Sequence, residues 1–141
     1  MWPAEFQSRL QSWYQLRLSC ADVAVEQALD LINQWWFRSP WTAYHLHWDD
    51  QSDWPDPWQL LSDNFYCDVA RGLGMLYTIT LLDRGDITSV SLVLTNDDRN
   101  LVLADQSKYI LNWKADDIVN TNLAVDIQRQ YTQQEVKQQY L

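Results

Sequence analysis

Apolar positions recur at helical spacing over the first part of the chain. Phe6, Leu10, Trp13 and Tyr14 give residues 1–18 one apolar stripe, which predicts a short amphipathic helix. A second helix is expected to start from a Ser19 cap, with Asp22 strengthening its first turn and Val25, Ala28, Leu29, Ile32 and Trp36 along its buried face. Pro40 closes that pattern, because proline disfavours helical geometry in the residue before it. Residues 39–57 then read as a loop with Pro40, Pro55 and Pro57, inside which residues 44–48 form a short extended piece. Asp56 caps a helical turn that has Pro57 at its first position. Asp63 or Asn64 caps the next helix, which carries Cys67 close to its start and packs through Phe65, Val69, Ala70 and Leu73. Gly72 or Gly74 is expected to end it.

From Met75 the period reads as two. Met75, Tyr77, Ile79 and Leu81 alternate with Leu76, Thr78, Thr80 and Leu82, and both sets are largely apolar, which predicts a central strand. Turns at 83–86 and 96–100 separate further strands at 87–95, 101–105 and 108–113. The tail from residue 122 to residue 141 is Gln-rich and reads as a helix with few apolar anchors, Leu123, Ile127, Tyr131 and Tyr140. The expected fold class is therefore α+β. N-terminal helices precede a Cys-bearing helix packed on an antiparallel meander of about four strands, and a C-terminal helix follows. Residues 1–121 form a single domain in this reading, and residues 122–141 form a docking or partner-binding helix.

Charge narrows the functional classes. Ten Lys plus Arg against nineteen Asp plus Glu leave a net charge of −9, and there is no basic cluster to offset it, so a phosphate backbone is repelled and nucleic acid is not an expected partner. No basic leader precedes an apolar run and no window reaches the roughly 20 apolar residues of a membrane span, so a soluble, non-exported chain without a membrane span is expected. Cys20 and Cys67 both fall within expected helices and are read as free thiols.

The chain has nine tryptophans, six of them from Trp35 to Trp58. Such rings serve either as core filler or as an aromatic binding face, because the indole combines a large apolar area with one N–H that seeks an acceptor. Trp41, Trp48, Trp54 and Trp58, with Tyr131 and Tyr140 of the tail, are the candidate interaction residues. His45 and His47 fall on one side of an extended piece near Asp49, Asp50 and Asp53, a donor set that zinc or iron accepts. They are the candidate metal ligands, weighed against hydrogen-bonded loop histidines; no cofactor is expected.

A Cys-bearing helix followed by a meander, with Asp105 closing the strand 101–105, resembles the transglutaminase-like, papain-related cysteine fold. The resemblance implies a Cys-His-Asp triad in which the helix N-terminus favours the thiolate, an imidazole moves the proton and a carboxylate orients the ring. Cys67 and Asp105 match the family's first and third positions. The strand that should open with histidine reads ITSVS, so Ser89 or Ser91 stands at the middle position, and neither serves as a base near neutral pH. His45 or His47 would have to supply the imidazole from outside the family's chain order.

A wider resemblance rests on WWFRSPW, WPDPWQLLSDNFYC, YILNW and the Gln-rich tail. These segments look like small proteins of contractile-tailed, myovirus-type phages of cyanobacteria. That resemblance implies a phage protein of the host cytoplasm during infection, built into the virion as a tail, baseplate or neck component or acting as an assembly factor, with other protein subunits as partners. The leading expectation is a non-enzymatic structural or interaction protein on a degenerate transglutaminase-like scaffold. The alternatives are a cysteine-dependent hydrolase or acyltransferase using Cys67, Asp105 and His45 or His47, and a host-directed inhibitor or adaptor.

Overall fold

The computed structural model describes residues 2–120 and 125–140 of the chain. In order along the chain they form α1 (Phe6–Cys20), α2 (Val25–Phe37), a 3-10 helix (Trp48–Asp53), α3 (Pro57–Asp63) and α4 (Asp68–Leu82). Strands β1 (Ser91–Thr95), β2 (Asn100–Ala104), β3 (Tyr109–Leu111), β4 (Val119–Asn120) and β5 (Ile127–Thr132) follow, and then α5 (Gln133–Tyr140). The architecture is mixed α+β. The five strands make one antiparallel sheet in the order β4-β3-β2-β1-β5.

α4 is the centre of the core and corrects the expected strand. Every residue from Val69 to Thr80 is buried, so the helix has no exposed polar face, and a largely apolar run can pass for a two-sided strand. Leu73, Leu76 and Ile79 are each at most 1% exposed, a burial worth roughly 1.5–3 kcal/mol per side chain. Thr78 and Thr80, which favour strands in isolation, turn their hydroxyls back to the carbonyls of Gly74 (2.7 Å) and Leu76 (2.8 Å). Nor do Gly72 and Gly74 end the helix. They lie inside it, where other elements come too close for a side chain, and Asp83 in the left-handed conformation (φ 52°) ends it instead.

The strand segments alternate faces as their register requires. Leu92, Val102, Leu111 and Tyr131 share the large core with the helices. Val93, Leu101, Leu103 and Ile110 form a second buried cluster on the other face, with Val119 and Val125 packed against it. The sheet is thus apolar on both sides. The expected strand 87–95 forms only from Ser91, and the expected strand 108–113 only over Tyr109–Leu111.

Two further expectations change. Ser19 lies inside α1 and donates to the Gln15 carbonyl (2.9 Å), and α2 begins at Val25 behind Ala24 without a side-chain cap. The tail is not one helix. Ile127–Thr132 pairs with β1, and the helix occupies only Gln133–Tyr140; residues 122–124 and 141 lie outside the described residues. Val136 is 2% exposed and the Tyr140 ring meets the Tyr77 ring edge-on at 5.7 Å, so the thin apolar stripe of this helix is already covered by the rest of the chain.

Candidate functional site

Local structure brings Cys67 to the head of α4. Asp56 accepts from the Gln59 N–H (2.7 Å) and Pro57 opens α3, as the sequence predicts, and Asn64 in the left-handed conformation (φ 60°) ends that helix. Tyr66 is then fixed by its hydroxyl, which donates to the Leu60 carbonyl at 2.7 Å. Its backbone holds the loop beside it: the Tyr66 N–H donates to Pro40 O (2.9 Å), and the Thr42 N–H donates to Tyr66 O (3.1 Å). Cys67 follows as the cap residue of α4 rather than a residue inside it, in extended geometry, and its sulfur does not cap the helix.

The thiol is 4% exposed, and its hydrogen-bond partners among the described residues are both on Leu46. The Leu46 N–H donates to Sγ at 3.4 Å, and the Leu46 carbonyl lies 4.0 Å from it. Neither imidazole takes that place. His45 Nε2 sits 3.1 Å from the Asp63 carboxylate, and the His47 ring stacks on Tyr44 at 5.8 Å with 19° between planes. The two rings therefore go to different partners instead of converging on one ion. No group of three or more His, Cys, Asp or Glu suited to a metal occurs among the described residues.

Asp105 does not join them. Its backbone N–H donates to Thr88 O (2.8 Å), and its carboxylate accepts from the Thr88 N–H (2.9 Å) and hydroxyl (3.3 Å). It follows the last residue of β2, whereas the first, Asn100, lines a cleft with Cys67. At about 3.3 Å per strand residue the backbones of Asn100 and Asp105 lie roughly 16 Å apart, and the Asp105 carboxylate is bound to Thr88 instead of an imidazole, so the triad implied by the resemblance is not assembled.

That cleft has a volume of about 560 Å³. Tyr44, Leu46 and His47 line one part, Cys67 and Asp68 another, and Asp98 of the β1–β2 turn with Asn100 at the start of β2 a third. Beside it, Arg71 is 6% exposed and lies over the Phe37 ring at 4.5 Å, with its Nη1 3.8 Å from Asp68. Burial lowers the Arg71 pKa from its ordinary value, and the Asp68 charge acts in the opposite direction.

The candidate interaction residues divide. Trp41 (60%) and Trp58 (48%) are exposed. Trp48, Trp54 and Tyr131 are buried in a run of edge-on rings, 5.1 Å and then 5.6 Å between centroids, and Tyr140 is half-buried against Tyr77. Those four pack into the fold, and each polar tip finds a partner within the chain: Trp48 Nε1 donates to Asn100, Trp54 Nε1 to His47 O, the Tyr131 hydroxyl to Gln139 and the Tyr140 hydroxyl to Trp54 O.

Sequence reasoning missed Tyr44 (79% exposed) and Phe65 (58%) as surface aromatics. Phe65 lies on the expected packing face of a helix that begins only at Asp68; the signal for Tyr44 is its place in a proline-bounded acidic loop. No helix among the described residues is long and apolar enough to cross a membrane. Comparison with family models, curated proteins and solved structures finds no match for this chain.

Proposed function

We propose that the protein is a non-enzymatic interaction component that holds other protein subunits. The observation that carries this reading is the pairing of the Cys67 thiol with the Leu46 backbone, while the nearest family-matched carboxylate, Asp105, is tied to Thr88 at the far end of β2. A sulfur without a base at hand gains no nucleophile activation. Exposed Trp41, Tyr44, Trp58 and Phe65 supply what a binding surface needs, since aromatic rings anchor interfaces at low cost in side-chain entropy. The fold is proposed as a degenerate transglutaminase-like one, supported by the order of a Cys-headed helix followed by an antiparallel meander. The setting, proposed from sequence texture, is a particle of a contractile-tailed phage, assembled in the host cytoplasm. Purified virions probed with an antibody against the chain test this. Finding it in every particle at constant stoichiometry is the expected result, and finding it in infected cells but never in particles would leave the host-directed inhibitor or adaptor.

One observation favours a second reading, the cysteine-dependent hydrolase or acyltransferase. Cys67, His47 and Asn100 line the same cleft, so a shift of the 44–47 loop would bring a ring toward the sulfur. Iodoacetamide separates the two. Labelling of Cys67 no faster than that of an ordinary thiol is expected, and fast labelling that persists down to about pH 6 would establish a thiolate and overturn the non-enzymatic reading.

A further inference from the structure

Between Arg38 and Arg71 the chain has no Lys or Arg, yet it holds six aspartates, Asp49, Asp50, Asp53, Asp56, Asp63 and Asp68. The same stretch carries four of the exposed large aromatic side chains, Trp41, Tyr44, Trp58 and Phe65. Only some of the acids are neutralised within the chain. Asp49 meets Arg129 at 2.7 Å, Asp63 meets His45, and Asp68 has only the long 3.8 Å approach of Arg71. Asp98, from the facing turn, adds another carboxylate to the cleft.

The molecule uses one arrangement repeatedly to seat its own arginines. Arg99 lies over Trp113 at 4.1 Å, Arg17 over Trp13 at 4.4 Å and Arg71 over Phe37 at 4.5 Å. A guanidinium on an aromatic face beside a carboxylate combines cation–π attraction with charge-assisted hydrogen bonding. The cleft beside Cys67 offers that combination with no Lys or Arg among the described residues that line it: Tyr44 has one face on His47 and is otherwise exposed, and Asp68 and Asp98 line the same space.

We propose that this acidic, aromatic face binds a basic extended segment of another protein, and that one arginine of the segment enters the cleft between Tyr44, Asp68 and Asp98. The inference rests on the interaction reading above and gives its partner a chemistry. Charge complementarity selects the partner, because a chain of net charge −9 attracts basic segments at long range and the cleft is lined by Asp68 and Asp98 with no Lys or Arg among its lining residues. Arginine is favoured over lysine, since a planar guanidinium stacks and bonds in parallel where an ammonium acts as a point charge.

The test is fluorescence anisotropy of a short labelled Arg-Ser repeat peptide titrated with the full chain. Its lysine and citrulline counterparts serve as comparisons. The arginine peptide is expected to bind about tenfold more tightly than the citrulline one, with lysine between, and affinity should fall as salt rises. Asp98→Asn and Tyr44→Ala are each expected to weaken binding about fivefold or more while leaving thermal unfolding unchanged. Both side chains lie on the surface, and asparagine tolerates the positive φ (64°) of position 98. Equal binding of the citrulline peptide would overturn the proposal. So would an equal loss from Asp116→Asn, an acid placed elsewhere, because diffuse charge would then explain the binding. The assay involves no particle. Peptide binding by a chain absent from virions would sink the phage-particle setting alone, and a virion component that ignores the peptide would sink this inference alone.

Discussion

The indole of Trp36 fills the space that a side chain at Gly74 would need: a Cβ there would lie 2.5 Å from two ring carbons. Trp36 cannot move aside, because it is 1% exposed and ringed by Trp2, Trp35 and Tyr66 at 5.0 to 5.9 Å. Gly74→Ala should therefore destabilise the fold by about 1–3 kcal/mol through overpacking, even though alanine gains up to about 1 kcal/mol of helix propensity. At Gly72 the nearest atom is a terminal methyl of Leu92 (2.6 Å), which can rotate, so Gly72→Ala should cost less. Urea unfolding of the two variants checks the order, and equal or stabilising effects at position 74 would refute it.

Thr78 serves two tryptophans at once. Its Oγ1 accepts from Trp13 Nε1 (2.8 Å) and Trp36 Nε1 (3.0 Å), and its own proton goes to Gly74 O (2.7 Å). Thr78→Val keeps the shape and strips the acceptor, leaving two buried indole N–H groups without a partner, at a cost of about 2–5 kcal/mol. Thr78→Ser keeps the oxygen and should cost about 1 kcal/mol for the lost methyl. Equal unfolding midpoints for the two variants would show that the indoles find other acceptors.

These two residues also explain why α4 was legible only in part. The capped start of α3, the amphipathic α2 and the strands around the 96–100 turn follow from local chemistry that a sequence displays: Asp56 before Pro57, an apolar stripe with a polar back, Asn and Asp in a tight turn. Residues 75–82 display none, because a helix buried on every side has no polar face to set its period. What settles it is tertiary. Gly72 and Gly74 admit Leu92 and Trp36, and Thr78 receives indoles from α1 and α2, none of which periodicity within one segment can reveal. The site was legible in its parts, Cys67 ahead of a helix and histidines in the preceding loop. Its pairing of thiol with Leu46 and of Asp105 with Thr88 depends on backbone placement far along the chain.

The division of the tryptophans is testable by truncation. Trp48 (8% exposed) and Trp54 (6%) meet edge-on in the core, so Trp48→Ala and Trp54→Ala should each cost about 3–5 kcal/mol. Trp41→Ser and Trp58→Gln remove exposed rings and should fall within about 0.5 kcal/mol of the parent. Thermal unfolding monitored by circular dichroism separates the pairs, and a large loss at position 58 would place that ring in the fold's own packing.

Alkaline pH should unfold the chain early. Burial pushes the Cys20 thiol up to about 11 and the Tyr131 hydroxyl up to about 12. It also raises the hydroxyls of Tyr66 and Tyr77, which donate to the carbonyls of Leu60 and Pro55 at 2.7 Å each. The folded chain keeps these protons, whereas the unfolded chain releases them near 8.5 for cysteine and near 10 for tyrosine. The unfolded state thus binds fewer protons, and stability falls as pH rises. It should be fully present below about pH 8, decline from about pH 9 and fall steeply between about 10 and 12. Urea midpoints across that range, with tyrosinate absorbance followed in parallel, check this; a flat profile to pH 11 would contradict it.

The tail offers the sharpest test of where this domain ends. β5 pairs with β1 along Ser91↔Thr132 to Thr95↔Ile127, and α5 adds Val136 at 2% exposure and the Tyr140 ring on Tyr77. Ending the chain after Asp126 strips an edge strand from the sheet and bares one side of α4, so several kcal/mol are lost from a total that is typically about 5–15. The truncated chain should show no cooperative unfolding and a weak near-ultraviolet spectrum. Val136→Ala, which keeps the backbone and removes buried methyls, should cost about 2 kcal/mol and retain cooperativity. Tyr140→Phe loses only a 3.3 Å bond to Trp54 O and keeps the ring contact, so it should cost under about 1 kcal/mol. A truncated chain that melted at the parent temperature would mean that β5 and α5 are docked on a fold already complete without them, and the tail would then be free to serve a partner.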